Sequence, residues 1–410
     1  MSAEDAKRRS SLIAHRSALI FGTLLFLLLR AALLFWRQPF FDELFTVWIA
    51  AKPFAGIVEA LRFDSGPPLY YFVVHGMFLR GVLAARLLSF ACAGVTFILL
   101  RSRTTAALLY AVFPPAVLFA VDARSYAMCA MFVTIGVLAL HRERYGVAAA
   151  SFVLAAYSHY YGVLFFPLLW RRWRALAVAI IAFAPGFWLA MHQPKEAMGW
   201  IGGFPSWPNA LFVRPPLPLL VIAGVLIVVA AIHWNRFLTM AAIPLGLALL
   251  LAIVARPVYF PLRFEAVIAP PLMLGIAESF RSKRIPAIAL GATFLFITAI
   301  GIADHRTRPP DEYRLAAIVT RALPRDVPLV ASGFLYLETV VNARPEAIAW
   351  PQEQAQHPGW RAVPNRGSAP PQSVFFWVGE RLAPELQILR QTREVEPVYI
   401  NPRAVVARVR

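Results

Sequence analysis

The adjacent carboxylates Asp42 and Glu43 directly follow the first apolar segment of the chain. Residues 1–303 are overwhelmingly apolar and contain only eleven acidic residues, so two neighbouring acids at the mouth of a membrane helix are costly to maintain. A carboxylate placed there can act as a base that takes a proton from an acceptor group. The alternative is a structural role, because acids favour the first turn of a surface helix. The pair therefore predicts either chemistry at a membrane surface or a helix cap.

Other polar side chains also lie near the ends of apolar segments, and we treat them as candidates for substrate binding. They are Asp64, Tyr70, Arg86, Asp122, Arg124, Tyr126, His159, Tyr160 and Arg263. Arginine suits phosphate because its planar fork reaches two oxygens and keeps its charge.

Each candidate also has a structural interpretation. Arg86 is either a phosphate ligand or an interface anchor. Arg124 alternatively pairs with Asp122, and Arg263 with Glu265. The tyrosines and His159 suit an aromatic belt at the membrane interface as well as a substrate site.

The composition is that of a polytopic membrane protein, with 410 residues of which 59% are hydrophobic and 15% are charged. The formal net charge of +18 could indicate nucleic-acid binding, but its placement argues against that class. The tail from residue 304 holds fourteen arginines and eleven acids, and the remaining excess lies mostly in short loops between apolar runs. This distribution is typical of positive-inside topology.

An apolar stretch of about 20 residues spans a bilayer as a helix, and the sequence predicts about eleven such segments. They are Ser17–Trp36 and residues 86–100, 105–121, 125–140, 145–158, 160–170, 175–191, 215–232, 237–255, 264–280 and 285–303.

Loop charge indicates how these segments are oriented. The basic clusters all fall on the cytoplasmic side under two conditions. Residues 67–100 must cross the membrane only once, with Pro67–Leu79 as a short interfacial helix, and the chain must turn at Ser158–Gly162. In the alternative arrangement, the membrane is crossed separately by residues 67–80 and by residues 82–100, and residues 145–170 form one span. We prefer the first arrangement, which puts the polar candidates and the tail on the outer face.

The tail has a different composition, richer in Pro, Arg and Glu, and it predicts a small α/β domain. Helices are predicted at Tyr313–Leu323 and Ala383–Gln391. Strands are predicted at Pro328–Ser332 and Ser373–Val378, with one or two more in Val398–Val409. We therefore predict a membrane domain over residues 1–303, with an outer first loop at 37–66, and an extracytoplasmic domain over 304–410.

Several of these residues, in this order and spacing, resemble the polyprenyl-phosphate-sugar-dependent membrane glycosyltransferases of the GT-C fold. The resemblance covers roughly residues 17–303 and is greatest to the family 39-like group, which includes protein mannosyltransferases and aminoarabinose transferases. It rests on Asp42-Glu43, on Asp64–Tyr71, on Ala85-Arg86-Leu87-Leu88-Ser89, on Asp122-Ala123-Arg124-Ser125-Tyr126, and on Ser158–Tyr161. The chain departs from the family at Gly66, where a histidine often stands.

The resemblance implies an enzyme whose donor sugar is activated by a lipid phosphate, with no separate cofactor and no metal. Asp42 would be the base, Glu43 would orient Asp42 or the acceptor, and arginines would hold the carrier phosphate. The acceptor would be a lipid, a glycan or a protein. Apart from the resemblance, the position and the glycine-rich composition of the loop that holds Lys195, Glu196 and Trp200 predict a lid over the donor.

We expect a multi-pass protein of the bacterial plasma (inner) membrane, with a cytoplasmic N-terminus and an extracytoplasmic C-terminal domain. The alternative is a non-catalytic transporter of lipid-linked sugars or a membrane assembly scaffold. A transporter would show ionisable groups near the bilayer midplane and internal repeats. The acids here lie at segment ends, and no repeat is visible.

Overall fold

The computed structural model describes residues 3–194, 216–254, 259–350 and 373–410. Helices predominate, as the long apolar runs predict, because a helix satisfies every backbone hydrogen bond within one segment. The α-helices up to Thr307 are α1 Ala3–Trp36, α2 Phe41–Ala50, α3 Phe54–Leu61, α4 Leu69–Gly76, α5 Val82–Leu100, α6 Thr104–Val112, α7 Pro114–Leu118, α8 Tyr126–His141, α9 Tyr145–Ser158, α10 Trp173–His192, α11 Leu217–Ile232, α12 Arg236–Val254, α13 Arg263–Ser279 and α14 Arg284–Thr307. Among these described residues, 3₁₀ helices are interspersed at Phe119–Val121 and Tyr160–Leu169.

Each predicted apolar segment coincides with helical structure in the described part of the chain. Within that part, five stretches are long and apolar enough to cross a membrane on their own: His15–Trp36, Val82–Leu100, Trp173–His192, Arg236–Val254 and Arg284–Ala322. A sixth is added if α6 and the following residues to Val121 count as one broken span.

The predicted span 105–121 is broken rather than straight. Its two halves meet at an angle of 68°. The break coincides with Pro114 and Pro115 at the start of α7, which lack the N–H groups that would continue α6.

Residues 145–169 form a hairpin in place of one long span, as the preferred arrangement requires. Helix α9 ends at Ser158, and the 3₁₀ helix that begins at Tyr160 packs back along it. Gly162 makes the close approach possible, because a Cβ atom there would lie 2.3 Å from the backbone nitrogen of Ala156.

The chain divides into two compact units. The membrane unit contains α1 and the helices from α5 to α14. The other, which we call the mixed unit, contains α2 to α4, the residues directly after α10, and the tail from Arg308.

The tail is an α/β fold around a five-stranded sheet, as predicted. Its strands are β1 Leu329–Ala331, β2 Ile348–Ala349, β3 Phe375–Glu380, β4 Val395–Ile400 and β5 Ala404–Val409, in the order β2-β1-β3-β5-β4. The first three are parallel, and β5 pairs antiparallel with both β3 and β4. Its helices are α15 Glu312–Val319, α16 Phe334–Asn342 and α17 Pro384–Thr392, with a 3₁₀ turn at Thr320–Ala322. Helix α16 and strand β2 were not predicted from the sequence.

Alternating side chains of the sheet enter two hydrophobic cores. Val330, Trp377 and Val405 pack with α17 on one face. Phe376 and Val406 point to the opposite core, which α15 and α16 share with helices from the first loop. The first loop and the tail are therefore one folded body.

Candidate active site

Asp42 and Glu43 occupy the first turn of α2. The carboxylate of Glu43 is fully buried, and its Oε2 accepts a hydrogen bond from the backbone N–H of Phe40 at 3.3 Å. Glu43 therefore caps the first turn of α2, and it does so from a buried position. Asp42 is half-buried on the same turn, and its backbone oxygen accepts from Thr46 Oγ1 at 2.8 Å.

Asp64 and Tyr70 lie where α3 passes into α4, and both are buried. Gly66 stands between them in sequence. A Cβ atom at Gly66 would lie 3.9 Å from Asp64 Oδ2 and 3.4 Å from the hydroxyl of Tyr71. The side chain of Gln193 holds this turn, since its Nε2 donates to the carbonyls of Leu61 at 2.7 Å and Gly66 at 2.9 Å.

In the membrane unit, Asp122 forms a buried ion pair with Arg37. Arg37 Nη2 lies 3.3 Å from Asp122 Oδ2, and the two side chains are 5% and 1% exposed. Arg37 Nη1 also donates to the carbonyl of Leu118 at 3.1 Å. Arg86 Nη1 donates to the backbone oxygen of Arg37 at 2.8 Å, so Arg37 connects two of the predicted residues.

Arg263 begins α13 and is held by aromatic side chains. Its Nη1 donates to the hydroxyl of Tyr126 at 3.1 Å, and its guanidinium lies 4.5 Å from the ring centre of Phe260. The residue before it, Leu262, has φ +68° and ψ −39°, a conformation that is costly for a residue with a branched side chain. Backbone strain of this kind is concentrated at functional sites.

Glu265 accepts a hydrogen bond from the hydroxyl of Tyr259. Burial raises the pKa of Tyr259, and the neighbouring Glu265 carboxylate raises it further. The side chain of Arg263, by contrast, is directed to Tyr126 and Phe260.

His159 lies at the turn between α9 and the following 3₁₀ helix. Its Nδ1 accepts a hydrogen bond from the backbone N–H of Tyr161 at 3.2 Å, and its ring lies 4.9 Å from that of Tyr126. Burial lowers the pKa of His159 to about 3, and the positive charges of Arg124 and Arg263 add to the effect. The imidazole is therefore neutral at physiological pH, with Nε2 as its N–H donor.

The membrane unit thus brings several predicted residues together. Arg124, Tyr126, His159 and Arg263 form one cluster, while Arg86 and Asp122 are joined through Arg37. Tyr160 lies beside this cluster in sequence but turns its ring to Phe183, 6.4 Å away. The remaining candidates belong to the mixed unit: Asp42, Glu43, Asp64 and Tyr70.

Sequence reasoning missed Arg37 and Gln193. The only local sign of Arg37 was a basic residue at the end of an apolar helix, which is also the pattern of an ordinary interface anchor. The predicted lid residues Lys195, Glu196 and Trp200 lie outside the described residues. Among the residues that are described, no group of three or more His, Cys, Asp or Glu side chains is placed to hold a metal ion.

Comparisons with known proteins identify the fold. The chain is similar to the crystal structure of ArnT from Cupriavidus metallidurans bound to undecaprenyl phosphate, with a TM-score of 0.61 and 17% identity over 95% of this chain and 97% of that chain. The apo structure of the same protein gives 0.64 and 15% identity over 96% and 98%. The sequence matches no family model, and no curated protein sequence matches it significantly. The predicted GT-C fold, with its C-terminal α/β domain, is confirmed over nearly the whole chain.

Proposed function

We propose that this protein is a membrane glycosyltransferase that moves a sugar from a polyprenyl-phosphate donor to a lipid, glycan or protein acceptor. The similar ArnT structure contains undecaprenyl phosphate, which supports a carrier of this class here. The reaction would take place at the extracytoplasmic face of a bacterial plasma membrane, with the N-terminus in the cytoplasm and the tail domain outside.

The observation that carries the proposal is the cationic cluster around Tyr126. Arg263 is buried and bonded to the Tyr126 hydroxyl, and the charges of Arg124 and Arg263 add to the effect of burial in lowering the pKa of His159. Two arginines beside a neutral imidazole favour an anion. A phosphate would offset both charges and accept hydrogen bonds from guanidinium groups and from His159 Nε2.

The chemistry needs little beyond a base and an anion site. Asp42 would take the proton from the acceptor hydroxyl or phosphate as the acceptor oxygen forms a bond to the anomeric carbon of the sugar. The bond from that carbon to the lipid phosphate oxygen breaks, and the electron pair leaves with the polyprenyl phosphate. The arginines stabilise the charge that develops on the leaving phosphate. A single displacement of this kind inverts the anomeric configuration.

The remaining candidates have supporting roles in this proposal. Arg86 contributes positive charge near the carrier, and Asp122 fixes Arg37, to which Arg86 is bonded. Glu43 stabilises the first turn of α2 and thereby orients Asp42. Asp64, Tyr70 and Tyr160 would bind the sugar or the acceptor. The donor itself is the activated group, so no cofactor and no metal is part of the reaction.

The test is transfer from a panel of radiolabelled undecaprenyl-phosphate sugars by the purified full-length protein in nanodiscs, with membrane extract as acceptor. Wild type should label a product, and Asp42→Asn should lower the rate by about 100-fold or more, since loss of a general base costs that much. Glu59→Gln is the matched control, because Glu59 is an exposed acid on α3 of the same unit and should leave the rate unchanged.

Two results would contradict the proposal. Full activity of Asp42→Asn would exclude Asp42 as the base. Undiminished donor binding by wild type and Asp42→Asn, with no transfer from any donor, would instead indicate a carrier or a scaffold.

A further inference from the structure

The break between α6 and α7 exposes backbone oxygens inside the membrane unit. In a continuous helix the N–H groups of residues 114 and 115 would bond to the carbonyls of Tyr110 and Ala111. Both positions are proline, so these two donors do not exist. An unsatisfied carbonyl in an apolar interior costs several kcal/mol, and other donors must therefore replace the missing ones.

Arg30 of α1 supplies replacement donors. Its Nη1 donates to the oxygen of Ala111 at 2.9 Å, and its Nη2 donates to Tyr110 at 3.4 Å and to Ala116 at 3.3 Å. The side chain of Thr298 donates to the next carbonyl, that of Val112, at 2.8 Å.

Arg30 is fully buried, and its guanidinium lies 3.9 Å from the ring centre of Phe26. A charge inside a membrane protein is expensive unless its surroundings compensate it. The carbonyl dipoles at the break and the ring of Phe26 provide that compensation.

We propose that Arg30 is a positioning residue that fixes the broken span and thereby the phosphate-binding cluster that follows it. The role at the phosphate rests on the proposed function, whereas the role at the break does not. The chain runs from the break through the 3₁₀ helix Phe119–Val121 to Asp122, Arg124 and Tyr126. A shift at the break would therefore be passed directly to these side chains.

The same face of α1 holds the segment at three successive points. Arg30, Leu33 and Arg37 recur at helical spacing and so lie on one side of α1. Arg30 binds the carbonyls at the break, Leu33 packs against Val117 and Val121, and Arg37 binds Leu118 and Asp122. Helix α1 therefore acts as a template along which the irregular segment lies.

The experiment compares wild type with Arg30→Met, which keeps an unbranched apolar side chain in place but removes every donor. Hydrogen exchange of the full-length protein in nanodiscs, without added lipid phosphate, reports on the break. We expect the amides of residues 116–126 to exchange at least about tenfold faster in the variant, with α9 unchanged. Undecaprenyl phosphate alone is the binding probe, and we expect its affinity to fall about tenfold.

Three further variants serve as a control, as a partial rescue and as a second test of the break. Arg16→Met removes an exposed arginine from the same helix and should change neither readout. Arg30→Lys keeps the charge with a different donor geometry and should recover part of both losses. Thr298→Val removes a single donor at the break and should give a smaller increase in exchange; it serves as the test if Arg30→Met does not fold.

Unchanged exchange at residues 116–126 in Arg30→Met, or in Thr298→Val if Arg30→Met does not fold, would overturn the role of Arg30 at the break. Faster exchange with unchanged affinity for undecaprenyl phosphate would overturn the link to the phosphate cluster. Failure of wild type to bind undecaprenyl phosphate would contradict the proposed function, and the exchange measurement would still decide whether Arg30 holds the break.

Discussion

The side-chain amide of Gln38 and the backbone of Asp311 are joined across 273 residues of sequence, with Asp311 N donating to Gln38 Oε1 at 2.9 Å. Gln38 Nε2 donates in return to the carbonyl of Pro309, also at 2.9 Å. One side chain thus binds the start of the tail in both directions. Since Gln38 lies four residues before Asp42, the tail helps to fix the chain that leads to the candidate base.

Replacing Gln38 by Met should release the start of the tail. Each lost hydrogen bond is worth about 1 kcal/mol, so we expect a modest loss of stability and faster hydrogen exchange at the Asp311 amide. Gln193→Met is the matched control, because Gln193 holds a different turn of the same unit and should leave the Asp311 amide protected. Equal protection of that amide in wild type and Gln38→Met would contradict this prediction.

The ion pair of Arg37 and Asp122 should be far more important for stability than a pair of equal length at the surface. Asp122→Asn removes the counter-charge that lies 3.3 Å from a buried guanidinium, and we expect a cost of about 3–5 kcal/mol. The comparison is Glu278→Gln, because Glu278 lies 3.3 Å from Arg103 but is 40% exposed. Glu278→Gln should lower the free energy of unfolding by less than about 1 kcal/mol.

Unfolding of both variants in the same detergent provides the measurement. The double variant Arg37→Met with Asp122→Asn should be less destabilised than the sum of its single variants, because it leaves no uncompensated buried charge. If Asp122→Asn and Glu278→Gln lower the free energy of unfolding equally, burial does not determine the strength of the Arg37–Asp122 pair.

The elements of this fold were largely predictable from the sequence, and their connections were not. Long apolar runs predict helices because the membrane leaves the backbone few alternatives. The tail strands were recognisable from their alternating or continuous apolar residues. Strand β2 has only two residues, too short for any pattern, and the parallel pairing of β1 with β3 depends on contacts between distant segments.

The candidate residues, like the helices and strands, could be found from the sequence, whereas their partners could not. Arg86, Asp122 and Arg263 stood out as charges at the ends of apolar segments. The partner of Asp122 could not be deduced, because Arg37 is 85 positions away and looks like an interface anchor. The role of Arg30 could not be deduced either. Pro114 and Pro115 indicate that two backbone N–H donors are missing, but they do not indicate which side chain replaces them.

Gly162 should tolerate no side chain, because a Cβ atom there would lie 2.3 Å from Ala156 N and 2.4 Å from the carbonyl carbon of Ala155. Backbone cannot move aside as a flexible side chain can, so Gly162→Ala should destabilise the hairpin by at least about 1–3 kcal/mol. Gly146→Ala at the start of α9, the other arm of the hairpin, is the control, because nothing lies within 4 Å of its added methyl group.

The control should be neutral or slightly stabilising, since alanine favours the helix over glycine. Thermal unfolding in detergent measures both effects. Similar midpoints for the two variants would show that the hairpin opens to accommodate a methyl group, in contradiction to the close approach described above.

Glu338 should make stability depend on pH. Burial raises the pKa of this carboxyl from 4.5 to about 7, and the charge of Asp311 adds to the rise. The folded state therefore binds more protons than the unfolded state between these values. Its contribution is fully present below pH 4.5 and is lost as pH rises through 7.

Glu338→Gln removes this dependence, because the amide is neutral at every pH and resembles the protonated acid. The unfolding midpoint of wild type relative to the variant should fall as pH rises from 4.5 to about 7, whereas the exposed-site variant Glu59→Gln should follow wild type. Parallel midpoints for wild type and Glu338→Gln across that range would exclude a raised pKa.

Arg30 also bears on how the chain is assembled during synthesis. Its acceptors Tyr110 and Ala111 are made 80 and 81 residues later, so the first span meets the lipid before they exist. An arginine at the centre of a span raises the free energy of insertion by about 2.5–3.5 kcal/mol, and Arg30, six residues before the end of the span His15–Trp36, carries part of that cost. Helix α1 can therefore complete the hydrogen bonds of Arg30 only after α6 has been translated.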